Sequence, residues 1–293
     1  MVTRMHPPPV SAPRSPSLRV GSLALLTTAL LLVACASPST TDDATDPALP
    51  TSAWAQSLRV EGADGPAQWM HMRYGNHKPT RYTATLHQGR PAVLAESDAG
   101  NSTLRLRLAP RNGPEDRRLR FSWQVPALNE RADLRDADID DAVVRVILTF
   151  DGDRSRLSAR DHMLSELAHL VTGEPLPFAT LMYVWDHRYP EGSVIPNPHT
   201  QRIRKLVIES GAQRLNQWVD VERDIDADYR RVFGEAPGPL TAIGVMTDSN
   251  NTGEKVRAWF GPLTLAPSPR HSADAASPVV GGQVVAQPAA LSP

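Results

Sequence analysis

Residues 102–108 read STLRLRL and residues 119–125 read LRFSWQV. In the first, Leu104, Leu106 and Leu108 alternate with Arg105 and Arg107. In the second, Leu119, Phe121, Trp123 and Val125 alternate with Arg120, Ser122 and Gln124. A period of two sends the apolar set to one face of a strand and the polar set to the other, so both segments predict half-buried strands. Working outward, residues 82–86 and 93–96 flank HQGRP at 87–91, a hairpin loop with a glycine in it. Residues 142–150 (AVVRVILTF) and 240–246 (LTAIGVM) are apolar on both faces and predict central strands covered on both sides. Further strands are predicted at 181–185, 203–209, 217–225 and 255–265. About ten short strands, separated by Gly, Pro, Asn and Asp, predict a mostly-β chain folded as one β-sandwich or jelly roll. Two helices interrupt it. Residues 157–171 put Leu157, Leu164, Leu167, Ala168 and Val171 on one stripe before Gly173, which predicts an inserted amphipathic helix. The shorter one, 226–233, starts with Asp226 and Asp228 and ends with Arg230 and Arg231, the order the helix dipole favours.

The ends of the chain have a different composition. Arg4, Arg14 and Arg19 precede an uncharged run from Val20 to Ala34, rich in leucine, and no acid occurs before Asp42. That is the order of a secretory signal, and the run falls short of the roughly 20 residues a permanent span needs. It ends in LVAC at 32–35, which resembles the bacterial lipobox; the resemblance implies that Cys35 carries diacylglycerol and becomes the mature N-terminus. Several acyl chains anchor stably, since each buried CH₂ contributes about 0.8 kcal/mol. By resemblance to Gram-negative sorting, Ala36 after the cysteine implies the outer membrane, with the domain in the periplasm or at the cell surface. The organisation expected is therefore a signal at 1–34, a lipidated cysteine and flexible tether at 35–53, a β-sandwich domain at 54–265 and a disordered tail at 266–293. Cys35 is the single cysteine, so no disulfide can form within the chain. With the three signal arginines removed, 28 cations face 32 acids, which excludes bulk attraction for nucleic acid.

Several segments, in order, resemble one family of exported bacterial proteins. They are DDAVVRVILTF at 140–150, LMYVW at 181–185, Asn197-Pro198, ESG at 209–211 with Trp218 beyond it, and ERDI at 222–225. DYR at 228–230, Phe233-Gly234, TDSNNTG at 247–253 and AWFG at 258–261 complete the set. The family is the one catalogued as domain of unknown function 3047, and the resemblance runs over most of residues 74–265. It implies a sandwich similar to galactose-binding-like domains, a fold shared by many carbohydrate-binding modules. It implies no catalytic residue set.

Four clusters could carry chemistry. The loop 247–253 gathers Asp248, Asn250 and Asn251, whose oxygens suit sugar hydroxyls or calcium at Asp248 and Asn250; equally, Asp and Asn cap tight turns and bind nothing. Asp141 and Arg145 share a strand face four residues apart, as an anion clamp or as a buried structural ion pair. Alternation places Trp218, Asp220, Glu222 and Asp224 together, either as a sugar platform with acids or as a solvated strand face. Trp259 is a further strand aromatic, whereas Trp123 and Trp185 read as core. His162, Glu166 and His169 share a helix face, for metal or for solvent. Nucleophile-elbow, zincin and phosphate-loop motifs are missing from the sequence. The function expected is a non-catalytic carbohydrate-binding or scaffold domain on the envelope, with a glycan or envelope protein as partner. The alternatives are a polysaccharide-acting hydrolase or lyase and a protein-partner module.

Overall fold

The computed structural model describes residues 44–57, 69–108 and 118–266. The signal, Cys35 and the tail beyond Ala266 lie outside the described residues. Two sheets pack face to face. The first, seven strands across, runs β1 (Trp69–Arg73), β4 (Ser102–Arg107), β11 (Leu240–Met246), β6 (Arg145–Phe150), β7 (Ala179–Asp186), β9 (Ile203–Ser210) and β8 (Val194–Pro196). The second runs β10 (Val219–Asp224), β5 (Arg118–Gln124), β12 (Lys255–Phe260), β3 (Arg90–Asp98) and β2 (Arg81–His87). A last strand, β13 (Thr264–Ala266), pairs β5 beyond the end of β12. All pairings are antiparallel except β7 with β9. This is the mostly-β sandwich that the alternation predicts.

The alternation also sets the core. Leu104 and Leu106 turn inward and are buried, and so do Leu119, Phe121 and Trp123 from the other sheet. Across the interior, Phe121 stacks on Tyr183 at 6.1 Å, and Trp123 lies 6.4 Å from Trp185. On the opposite side, Arg105 and Arg107 both reach Glu174, Arg105 with two bonds of 2.8 and 3.0 Å. The central strands β6 and β11 are covered on both faces, down to Ile147 and Met246. The expected strand at 255–265 is broken at Gly261 to Leu263, where β5 changes partner from β12 to β13.

Two expectations need correction. The tether does not reach residue 53. Ala44 and Asp46 pair with Tyr82 through backbone bonds of 2.7 and 2.8 Å, and Leu49, Trp54 and Ala55 are core residues. The Trp54 indole donates to the Gly261 carbonyl at 2.8 Å and its ring lies 4.6 Å from Trp69. Polar composition around Leu49 hid it, because a short 3-10 turn leaves no periodic pattern to read. The helix α1 (Ala159–Thr172) forms as predicted, capped by Ser158 and by left-handed Gly173. Its packing differs in part: Leu164 and Ala168 are half-buried as the stripe predicts, but Asp161, bound by Thr200, and Ser165, bound by Arg154, share that inward side. Met163, Leu167 and Leu170 are 64%, 56% and 82% exposed instead. The second helix, α2 (Ile225–Phe233), is capped by Asp224 and Gly234 and buries Tyr229 and Val232.

If residues 44–57 are part of the body, Trp54→Ala lowers the unfolding free energy by about 3–5 kcal/mol, the usual cost of truncating a buried aromatic. Urea unfolding measures it; a change under about 0.5 kcal/mol, typical of surface sites, would contradict the packing.

Candidate functional site

The exposed side of the six-stranded sheet is built by β12 and its neighbours. Ala258 and Phe260 are buried, so Lys255, Arg257 and Trp259 point the other way. Cross-strand register then assembles rows. Arg257 stands opposite Glu96, and Glu96 opposite Arg81. Trp259 stands between Leu94 and Gln124, with Thr83 beyond Leu94. Val219 pairs with Trp123 in the core, so Trp218, one residue earlier, comes to the open side beside Gln124.

Aromatic rings gather at the centre of this face. His87 stacks on Trp259 with centroids 4.0 Å apart and planes 7° from parallel. Trp218 meets His87 edge-on at 5.9 Å. The Arg90 guanidinium lies 5.4 Å from the Trp218 ring, and that of Arg257 5.5 Å from Trp259. Three polar atoms in this cluster are shielded and have no hydrogen-bond partner: Trp218 Nε1, His87 Nε2 and Gln124 Oε1. Gln124 is 3% exposed and spends its amide on the Asn216 carbonyl at 2.8 Å. Trp69 Nε1 and Trp123 Nε1 share this lack elsewhere in the sandwich, so it is the gathering of rings that distinguishes this face.

Asp220 and Glu222 border a hollow of about 430 Å³ with Arg90, Arg120, Ser122 and Pro262. Neither acid stands alone. Arg90 grips Asp220 with two bonds, the shorter 2.5 Å. Arg118 and Arg120 reach the two oxygens of Glu222 at 2.6 and 2.8 Å. Hydrogen bonds from Arg120 and then Arg118 hold the Glu222 carboxyl below the usual range. Asp224, expected beside them, caps α2 by accepting from Ala227 N–H at 3.0 Å.

The other predicted clusters lie elsewhere. On the outer side of β6, Arg145 Nε and Nη2 bind the two oxygens of Asp248 at 2.8 and 2.9 Å, and Nη2 also meets Asp140 at 3.1 Å. Buried Lys205 donates to the Leu134 carbonyl at 2.7 Å and to Asp140. The expected pair Asp141–Arg145 does not form. Asp141 accepts from the Asn251 and Thr252 backbone N–H groups and from the Thr252 hydroxyl at 3.2, 2.7 and 2.7 Å. The reason is local: β6 starts at Arg145, so Asp141 sits in a loop where period-two face assignment does not apply. Asp248 is likewise a poor seat for calcium, because both oxygens face a guanidinium whose charge repels a cation. The Asn250 amide donates to Asn251, and Asn251 donates to the Ala137 carbonyl at 2.9 Å, so this loop ties chain to chain. His162, Glu166 and His169 are exposed on α1, and no group of three metal-ligating side chains occurs among the described residues.

The family described as a protein of unknown function, DUF3047, matches residues 67–264. The chain belongs to this family. No curated protein matches the chain. Among solved structures, it is similar to the family 11 carbohydrate-binding module of cellulosomal cellulase Lic26A-Cel5E of Clostridium thermocellum, at 9% identity, 70% of this chain, 91% of that one and a TM-score of 0.36. It is also similar to the xyloglucanase domain of NopAA, a type three effector from Sinorhizobium fredii, at 8% identity, 71% and 100% coverage and a TM-score of 0.37. A third is endoglucanase cel12A from Rhodothermus marinus, at 9% identity, 68% and 97% coverage and a TM-score of 0.36. Within this DUF3047 chain, sequence reasoning reached Trp218, Asp220, Glu222 and Trp259 but missed His87, Arg90 and Gln124. Alternation had placed Gln124 outward; His87 and Arg90 sat in a hairpin whose long-range contacts no local pattern shows.

The buried network predicts a pH dependence. Desolvation, then the nearby Arg145 charge, lower Lys205 from 10.5 to about 8, against the pull of Asp140. Between those values the unfolded chain holds more protons than the folded one, so stability rises with pH across the window. Urea unfolding of wild type and Lys205→Met should show this rise in wild type alone; equal slopes would contradict it.

Proposed function

We propose that this chain binds carbohydrate across the open face of the six-stranded sheet, over Trp259, His87 and Trp218. The observation that carries the reading is the gathering of three aromatic rings on one face, flanked by the Arg90 and Arg257 guanidinium groups. Aromatic rings pack against the apolar side of a pyranose, and exposed polar groups at their edge bond its hydroxyls. Arg90 and Asp220, joined and largely exposed, offer further polar contacts beside Trp218.

Binding without bond cleavage fits the acids better than hydrolysis does. Glycoside hydrolysis uses a carboxyl kept protonated near neutral pH, commonly by burial. Glu222 is pushed the opposite way by its two arginines. Exposed Met163, Leu167 and Leu170 favour a second reading, a protein partner on α1, which concerns a different surface. We also propose that the domain is held at the outer membrane by lipid on Cys35, which the order of charges and apolar residues at 4–35 supports. Among the described residues, no helix is long and apolar enough to cross a membrane.

Binding of a panel of soluble polysaccharides, measured by calorimetry, tests the sugar reading. Trp259→Ala and Trp218→Ala should each weaken the best ligand at least about tenfold, or roughly 1.4 kcal/mol; unchanged affinity in both would sink it. For the anchor, Cys35→Ser should lose palmitate label and leave the membrane fraction, and a variant that stays labelled would refute it.

A further inference from the structure

Beyond Trp259, towards the ends of β3 and β12, lies a groove of about 1020 Å³, at the upper end of small-ligand sites. Its walls come from β2, β3 and β12, from the loop Pro126 to Leu128, and from Ala44 where the described chain begins. Among the described residues five cations line it: Lys78, Arg81, Lys255 and Arg257, together with Arg73, which has an interaction of its own. Two acids accompany them, Glu96 and Asp98. The whole chain has 31 cations against 32 acids, so this excess is local.

The charges are arranged as well as numerous. Asp98 is shared by Lys78 at 2.7 Å and Lys255 at 3.6 Å. The Lys78 hydrogen bond holds its carboxyl below the usual range, so it stays ionised. Glu96 stands in register between Arg81 and Arg257, and no ion pair engages either arginine among the described residues. Each acid is thus outnumbered by cations on both sides. Pro126, Ala127, Leu128 and Val256 add apolar wall, which makes the site a channel with charged sides.

We infer that the ligand of this face is an acidic, carboxylate-bearing polysaccharide whose uronate groups lie against Arg81, Arg257, Lys78 and Lys255 while a neighbouring ring packs on the Trp259 cluster. The inference rests on the carbohydrate reading above and names its substrate class. Arg257 links the two parts, being two residues from Trp259 on one strand and 5.5 Å from its ring. Lys255 and Arg257 are spaced about 7 Å along that strand, far enough apart to meet separate carboxylates. Guanidinium and carboxylate groups match in a two-pronged geometry. Glu96 and Asp98 can accept hydrogen bonds from the ring hydroxyls between the carboxylates.

The test uses the full chain and paired probes with one backbone: polygalacturonate and its methyl-esterified form, with neutral mixed-linkage glucan, inorganic polyphosphate and anionic lipid vesicles as further arms. Wild type should bind polygalacturonate at least tenfold more tightly than its ester, with affinity falling as salt rises. The variant Arg81→Gln should lose most of that preference while keeping the weaker binding of the ester. A second variant, Lys78→Gln/Lys255→Gln, should do the same, and an unchanged thermal midpoint verifies that each is folded. Equal binding of acid and ester, or a preference that survives both variants, overturns the acidic ligand and leaves the sugar reading standing. Tighter binding of polyphosphate or vesicles than of any glycan overturns it by giving the groove to another class. No binding of any glycan overturns both.

Discussion

Strand β12 is shared between the interior and the open face, and its alternation couples the two. Ala258 and Phe260 are buried against the opposite sheet, which obliges Lys255, Arg257 and Trp259 to face outward. A slip of one residue would turn Arg257 and Trp259 into the core and expose Phe260. Register with β3 and β5 prevents this, and the same register lines up Arg81, Glu96 and Arg257 in one row and Leu94, Trp259 and Gln124 in the next. The core therefore fixes the face. A cluster with unpartnered polar atoms can persist on it because its position is set by apolar burial underneath, not by its own contacts.

The opposite sheet handles charge differently. Arg145, Lys205, Asp140 and Asp248 are mutually paired beneath the loop that carries Leu134 to Asp141. Two cations meet two acids there, so the group is neutral as a set and every member needs the others. Asp141 does a separate job, holding the backbone of Asn251 and Thr252. The conspicuous loop at 247–253 is thus consumed by structure, while the cations around Lys255 and Arg257 are left facing solvent. Chemistry-bearing residue types are abundant on both sides of this sandwich. Exposure separates scaffold from candidate site: the Arg145–Asp248 pair is closed off from solvent, whereas Arg90–Asp220 and Lys78–Asp98 are open to it.

What could be read from the sequence follows from the range of each signal. Alternation is local, so STLRLRL and LRFSWQV led directly to β4 and β5 and to a sandwich. Face assignment held where a strand was present, as for Trp218, Asp220 and Glu222, and failed at Asp141, which precedes one. The stripe on α1 holds for Leu157, Leu164 and Ala168 and fails at Leu167, because helical spacing gives a face but not what it meets. Residues 44–53 read as tether because a lone leucine in a short turn makes no period. His87 over Trp259, and arginines holding Asp220 and Glu222, depend on pairing between distant strands, which no single stretch encodes.

The most direct measurement is hydrogen exchange of the full chain, read by mass spectrometry with and without a bound polysaccharide. The account predicts that slowed exchange falls on 81–98, 118–124, 216–222 and 255–261, the segments that make up the aromatic row and the groove. Slowing confined to 145–150, 179–186 or the helix at 159–172, with the six-stranded sheet unaffected, would contradict it.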